Sequence, residues 1–184
     1  MNILVATDGT LDTKRAAEAV SRYYREGDHV FVFTAVNLPT DVLRQMGDTG
    51  IKAASHIAHE AGQTLGAGDR AAERLIKTIS TTPPPRVDSP VMEALGETAN
   101  SRMRPIVKAL KEAGVEAGSF WRTTENRTAK TIVSAMRECD TDLLVIGSHG
   151  RGKYEGHLGS TGTKLVRMAT ASVLVLRRPR DDRL

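Results

Sequence analysis

The chain has 184 residues, 40% apolar and 26% charged, the balance of a globular domain with a core of its own. A formal net charge of +4 and a pI near 9.4 would suit a polyanion, yet the basic residues are scattered, so no nucleic-acid surface is expected. The single cysteine, Cys139, excludes an intrachain disulfide, and no apolar run approaches the roughly 20 residues that span a bilayer.

In chain order, residues 2–7 (NILVAT) open as a strand, without the basic and cleavage regions of an export signal, so a cytoplasmic protein is expected. Residues 12–26 place Ala16, Ala17, Val20, Tyr23 and Tyr24 on one helical stripe, with Gly27 as the candidate C-cap. Residues 29–36 (HVFVFTAV) read as a second strand. Residues 89–113 repeat Met92, Leu95, Ala99, Met103, Ile106 and Leu110 at helical spacing. Ser89 and Pro90 suit that helix's start, Gly114 suits its end, and Pro105 should kink or split it. A weaker strand follows at 115–121 (VEAGSFW), where Trp121 reads as core or sheet-edge packing. A helix at 128–139 carries Ile132, Val133 and Met136, and Cys139 near its end reads as structural. The strand at 142–148 (DLLVIGS), a helix at 160–170 with Leu165, Val166 and Ala169, and the strand at 172–177 (SVLVLR) complete the chain.

The strands are nearly continuous in Val, Ile, Leu and Phe rather than alternating, the pattern of a parallel sheet covered on both faces. Strands alternating with helices predict a doubly wound α/β fold, a five-stranded parallel sheet in the order 3-2-1-4-5, with the first and fourth strands adjacent at the topological switch point. The link from Val36 to Val115 is far longer than a crossover needs. Residues 40–88 therefore read as an insertion in a single domain, with an amphipathic piece at 69–80. Within the insertion His56, His59 and Glu60 lack the second histidine of a zinc-protease helix, since position 63 is Gln, and no metal site is expected.

Residues 145–166 carry six glycines between the fourth strand and the last helix. Glycines let backbone N–H groups converge, and a helix N-terminus after such a nest is an anion site. Ser160 and Thr161 add hydroxyls, while Arg151 and Lys153 add charge; a polyphosphate is the natural occupant. The loop matches neither the Walker pattern nor the dinucleotide fingerprint. A structural turn and solvated basic residues remain the simpler alternatives, and Asp8 could merely cap the first helix.

Gly147-Ser-His-Gly150, eight residues, then Gly159-Ser160 resembles the Gly-x2-Gly-x9-Gly-Ser/Thr loop of the universal stress protein family, one residue shorter. NILVATDGT resembles that family's first strand and Asp-Gly-Ser/Thr turn, and residues 159–177 run in step with its last helix and strand. The resemblance covers about residues 1–38 and 89–178. It implies an ATP site, or one for ADP or AMP, with Mg²⁺ accompanying the phosphates. Ala6, Thr7 and Asp8 would lie at the adenosine end and Val36 would flank the adenine. Ile146, Gly147, His149, Gly150, Arg151, Gly152 and Lys153 would wrap the phosphates, closed by Gly159, Ser160 and Thr161. Gly162 stands where members often have Ser or Thr. The resemblance also implies a homodimer through the last strand. The expectation is a regulatory, stress-response nucleotide-binding module. A nucleotide-free dimeric scaffold and a slow ATP hydrolase, with His149 as its only candidate base, are the alternatives.

Overall fold

Strands made almost wholly of branched aliphatic residues can be buried only if helices cover both of their faces. The computed structural model describes residues 1–37, 90–148 and 158–177. It places five strands, of which β3 is the most polar, in one parallel sheet: β1 (Asn2–Ala6), β2 (His29–Asn37), β3 (Ala117–Thr124), β4 (Leu143–Gly147) and β5 (Ser172–Leu176). Their order is β3-β2-β1-β4-β5, with β1 paired in parallel to both β2 and β4. Helices α1 (Thr13–Tyr23) and α2 (Pro90–Glu112) cover one face, and α3 (Thr128–Glu138) and α4 (Ser160–Met168) the other. The expected α/β doubly wound fold and strand order are those observed. The insertion, with its amphipathic piece at 69–80, lies outside the described residues, as does Ser89. No helix among the described residues is long and apolar enough to cross a membrane.

Period-two alternation splits each strand between two cores. Ile3, Val5, Val30, Val32 and Trp121 pack with Ala16, Ala17 and Val20 of α1 and the Leu95, Ala99, Met103, Ile106 and Leu110 stripe of α2. Leu4, Phe31, Phe33 and Phe120 pack with Ile132, Val133 and Met136 of α3 and Leu165 of α4. Phe120 stacks at a tilt on Phe33 with ring centroids 4.9 Å apart. Cys139, fully buried beneath α3, has its thiol pushed up to about 12, chiefly by burial, and is inert at neutral pH.

Several elements differ from their sequence readings for identifiable reasons. Pro105 neither splits nor ends α2, which runs unbroken from Pro90 to Glu112. Pro105 and Ser101, whose carbonyl loses its donor, both sit on the exposed face, where water can replace the missing bond. α1 stops at Tyr23, which is exposed, while Tyr24 packs against the core. Gly27 (φ +88°) instead serves the turn closed by Asp28 N–H on the Arg25 carbonyl, 3.0 Å. At the end of α2, Gly114 (φ +78°) does end the helix, with Val115 N–H reaching back to the Leu110 carbonyl and Gly114 N–H to Lys111. β3 begins at Ala117 and runs to Thr124, because it follows the whole outer length of β2 from Val30 to Asn37. Val166, expected on the buried stripe of α4, is exposed; Leu165 alone is fully buried there.

Candidate functional site

Parallel strands end together, so the turns that follow them gather at the carboxyl edge of the sheet. At the end of β1, Thr7 N–H still donates to the Phe33 carbonyl of β2 at 2.9 Å. The chain then turns away. Gly9 adopts φ +89° and donates to Thr7 Oγ1 (2.9 Å), while Asp8 Oδ1 accepts from Thr10 N–H (3.0 Å) and Thr10 Oγ1 (2.6 Å). Asp8 therefore shapes the turn and does not cap α1. That cap is Asp12, whose Oδ1 accepts from Arg15 N–H at 3.0 Å. A side chain at Gly9 would place its Cβ 2.9 Å from Arg102 Cγ, so the stem of this α2 arginine lies across the turn. Its Nη1 donates to the Ala35 carbonyl at 3.3 Å.

The second wall is built where β4 hands over to α4. Ser148 N–H donates to the Leu176 carbonyl and Gly159 N–H to the Ser148 carbonyl, both at 2.9 Å, so the two ends of the glycine-rich loop are tied together. Gly159 is the N-cap of α4 and supplies no side-chain cap. The N–H groups of Ser160, Thr161 and Gly162 have no partner among the described residues, the usual condition of an uncapped helix start. Gly159 has φ −59°, which any residue adopts, and among the described residues a Cβ there would meet only the Ser148 carbonyl at an ordinary 3.8 Å. No described residue requires glycine at 159. Gly162 is different: its missing Cβ makes room for Leu158, whose Cδ1 would be 2.6 Å away.

Between these walls lies a cleft of about 740 Å³. Its floor is apolar, formed by Ala6, Phe33, Ile132, Ile146 and Leu165. One end carries Gly147, Ser148, Gly159, Ser160 and Thr161; the other carries Asp8, Ala35, Asn37 and Arg102. Ala35 and Asn37 of β2 are separated from Gly147 of β4 by β1, two interstrand spacings or about 10 Å.

Of the sequence-predicted site residues, Ala6, Thr7, Asp8, Ile146, Gly147, Gly159, Ser160 and Thr161 all line this cleft. Val36 does not. Its side chain is buried on the opposite face, among α1 and α2, because alternation along β2 turns Ala35 and Asn37 to the cleft instead. His149, Gly150, Arg151, Gly152 and Lys153 lie outside the described residues. Sequence reasoning missed Arg102, Asn37, Thr128 and Leu158. The signal for Arg102 was available, since it follows Leu95 by seven residues and precedes Ile106 by four, which sets a charge at the margin of an apolar stripe.

The model of the universal stress protein family matches residues 1–177. Among solved structures, the universal stress protein UspA from Lactobacillus plantarum is similar at 20% identity and TM-score 0.56, covering 96% of this chain and 97% of its own. The universal stress protein from Archaeoglobus fulgidus in complex with dAMP is similar at 16% identity and TM-score 0.52, with 95% and 96% covered. A family member from Arabidopsis thaliana with AMP bound is similar at 14% identity and TM-score 0.50, with 99% and 94% covered. A comparison with curated proteins returns no significant match.

Proposed function

The chain belongs to the universal stress protein family, and we propose that its cleft binds an adenine nucleotide, ATP or its ADP and AMP forms, as the ligand of a regulatory module acting in the cytoplasmic stress response. The single observation that carries this reading is the start of α4. Ser160, Thr161 and Gly162 line the cleft with N–H groups that have no partner among the described residues, behind a glycine that no described residue requires. A phosphate there meets the positive end of the helix dipole, worth about 0.3–2 kcal/mol, and each N–H bond to a charged oxygen adds about 1.5–3 kcal/mol. The apolar floor suits a nucleoside, and the relatives solved with dAMP and AMP agree with it. Mg²⁺ would be held by the phosphates and water, since Asp8 is the one carboxylate among the described residues that line the cleft.

Gly159→Ala tests the reading. The variant should fold and melt like the parent to within about 1 kcal/mol, the cost of alanine at an N-cap. Its affinity for ATP should fall at least tenfold, because the new methyl occupies the space in which phosphate approaches the backbone. Unaltered affinity would move the phosphates away from α4.

The same reading includes a homodimer through β5. Ser172 N–H and the Leu176 carbonyl face β4, so Val173 and Val175 direct their backbone groups outward from the sheet edge. An unpaired apolar edge invites pairing with a second copy. Val175→Pro removes an outward N–H while sparing the β4 ladder, and should yield a monomer in light scattering at micromolar concentration. A variant that remains dimeric refutes this interface.

A further inference from the structure

Arg102 is a long cation on the sheet-facing side of α2, with buried Leu95, Ala99 and Ile106 as its helical neighbours. A charge in that position needs partners at the place where the stripe crosses the sheet edge. Two features of the edge receive it. The turn at Gly9 carries no Cβ where the Arg102 stem passes, so the turn that presents Asp8 is closed around this side chain. Beyond the Phe33 carbonyl, the next acceptor of β2 on the same side is that of Ala35, and β1 has already ended there. Arg102 Nη1 reaches it in place of a strand.

That bond engages one of the five guanidinium N–H donors. Among the described residues no carboxylate pairs with Arg102; the ion pairs formed there are Met1–Asp28, Lys108–Glu112 and Arg122–Glu138. Arg102 also lines the cleft, with its Nη1 held at β2, and β1 stands between β2 and the strand β4 that leads to α4. A phosphate seated on the N–H groups of α4 lies toward the β4 side, and what lies before Arg102 on the β2 side is the other half of the ligand.

We propose that Arg102 is a selectivity residue of the cleft, its guanidinium donating to an acceptor atom on the nucleoside half of the bound nucleotide and not to the phosphates. The inference rests on the nucleotide-binding reading above. Arg102 occupies the Ala35 carbonyl, so this end of the β2 wall offers donors, while Asp8 supplies a carboxylate to the same cleft.

The test is calorimetric titration of the full chain with ATP, AMP and adenosine, for the parent, Arg102→Met and Arg102→Lys. Arg102→Met keeps much of the stem over Gly9 and removes every donor. It should weaken all three ligands by one common factor of about tenfold or more, the size of a lost bond to a charged group. Arg102→Lys keeps the charge without the planar fork, and should show a smaller common loss. Arg102→Lys also carries the comparison if Arg102→Met does not melt cooperatively. Unchanged affinity in both variants overturns the proposal while the nucleotide reading stands. A loss seen with ATP but absent with adenosine makes Arg102 a phosphate ligand and overturns the nucleoside assignment. A parent chain that binds none of the three at millimolar concentration overturns both.

Discussion

Gly162 and Leu158 form a fitted pair, and replacing the glycine by serine should destabilise the protein unless Leu158 is shortened with it. A Cβ at 162 would stand 2.6 Å from Leu158 Cδ1 and 2.9 Å from Cγ, closer than carbon atoms approach without displacement. Serine gains about 0.5 kcal/mol over glycine in helix propensity. Forcing an extra group into an occupied space costs about 1–3 kcal/mol. The net expectation for Gly162→Ser is a loss of roughly 0.5–2.5 kcal/mol, the difference of those two ranges. Leu158→Ala alone gives up part of a half-buried side chain, about 1–2 kcal/mol. In the double variant the clash is absent and the propensity gain remains, so the pair should couple favourably by about 1–3 kcal/mol. Urea unfolding of the four proteins, extrapolated linearly to water, measures the cycle. Additivity within about 0.5 kcal/mol would refute the fitted pair. A hydroxyl at 162 should add to ATP affinity only in the Leu158→Ala background, where the serine can be accommodated.

Asp28 provides a prediction in pH. Burial opposes its ionisation, but hydrogen bonds from the Met1 ammonium (2.5 Å) and Arg25 N–H (2.8 Å) outweigh it and hold the carboxyl below its ordinary 3.8. A depressed folded value means the stabilisation is present above the unfolded value and is lost as pH falls through the folded one. The stability gap between the parent and Asp28→Asn should therefore be full at pH 7 and close below about pH 4; a gap that persists at pH 2 would show that packing, not charge, is responsible.

The fold was legible because its signals are local and repeated. The valine, isoleucine and leucine runs of β1, β2, β4 and β5 and the seven-residue recurrence in α2 leave few alternatives. β3 was hardest, since Ser119, Arg122, Thr123 and Thr124 are polar and the strand exists by pairing with β2 along eight register positions. The chemistry at the ends of β1 and α4 was also readable, because aspartate, glycine and hydroxyl residues mark turns and helix starts. That the Val36 side chain turns away from the cleft was not legible, because which residues of β2 face α3 is settled by Phe33 packing on Phe120, a contact between segments 87 positions apart. The repeat of α2 sets Arg102 at the margin of the apolar stripe, but nothing in a helical pattern tells which sheet-edge acceptor an arginine will meet. Pro105 does not split α2 because it sits on the exposed face, which the repeat of α2 implies only indirectly.

The most direct test of the account is an equilibrium titration of the purified parent chain with ATP, paired with release and chromatography of any nucleotide it already carries. Saturable binding of one adenine nucleotide per chain is expected, lost in Gly159→Ala, with the protein otherwise folded. No bound nucleotide and no saturation at millimolar ATP would contradict that expectation, and would leave the cleft at the carboxyl edge of the sheet without its proposed occupant.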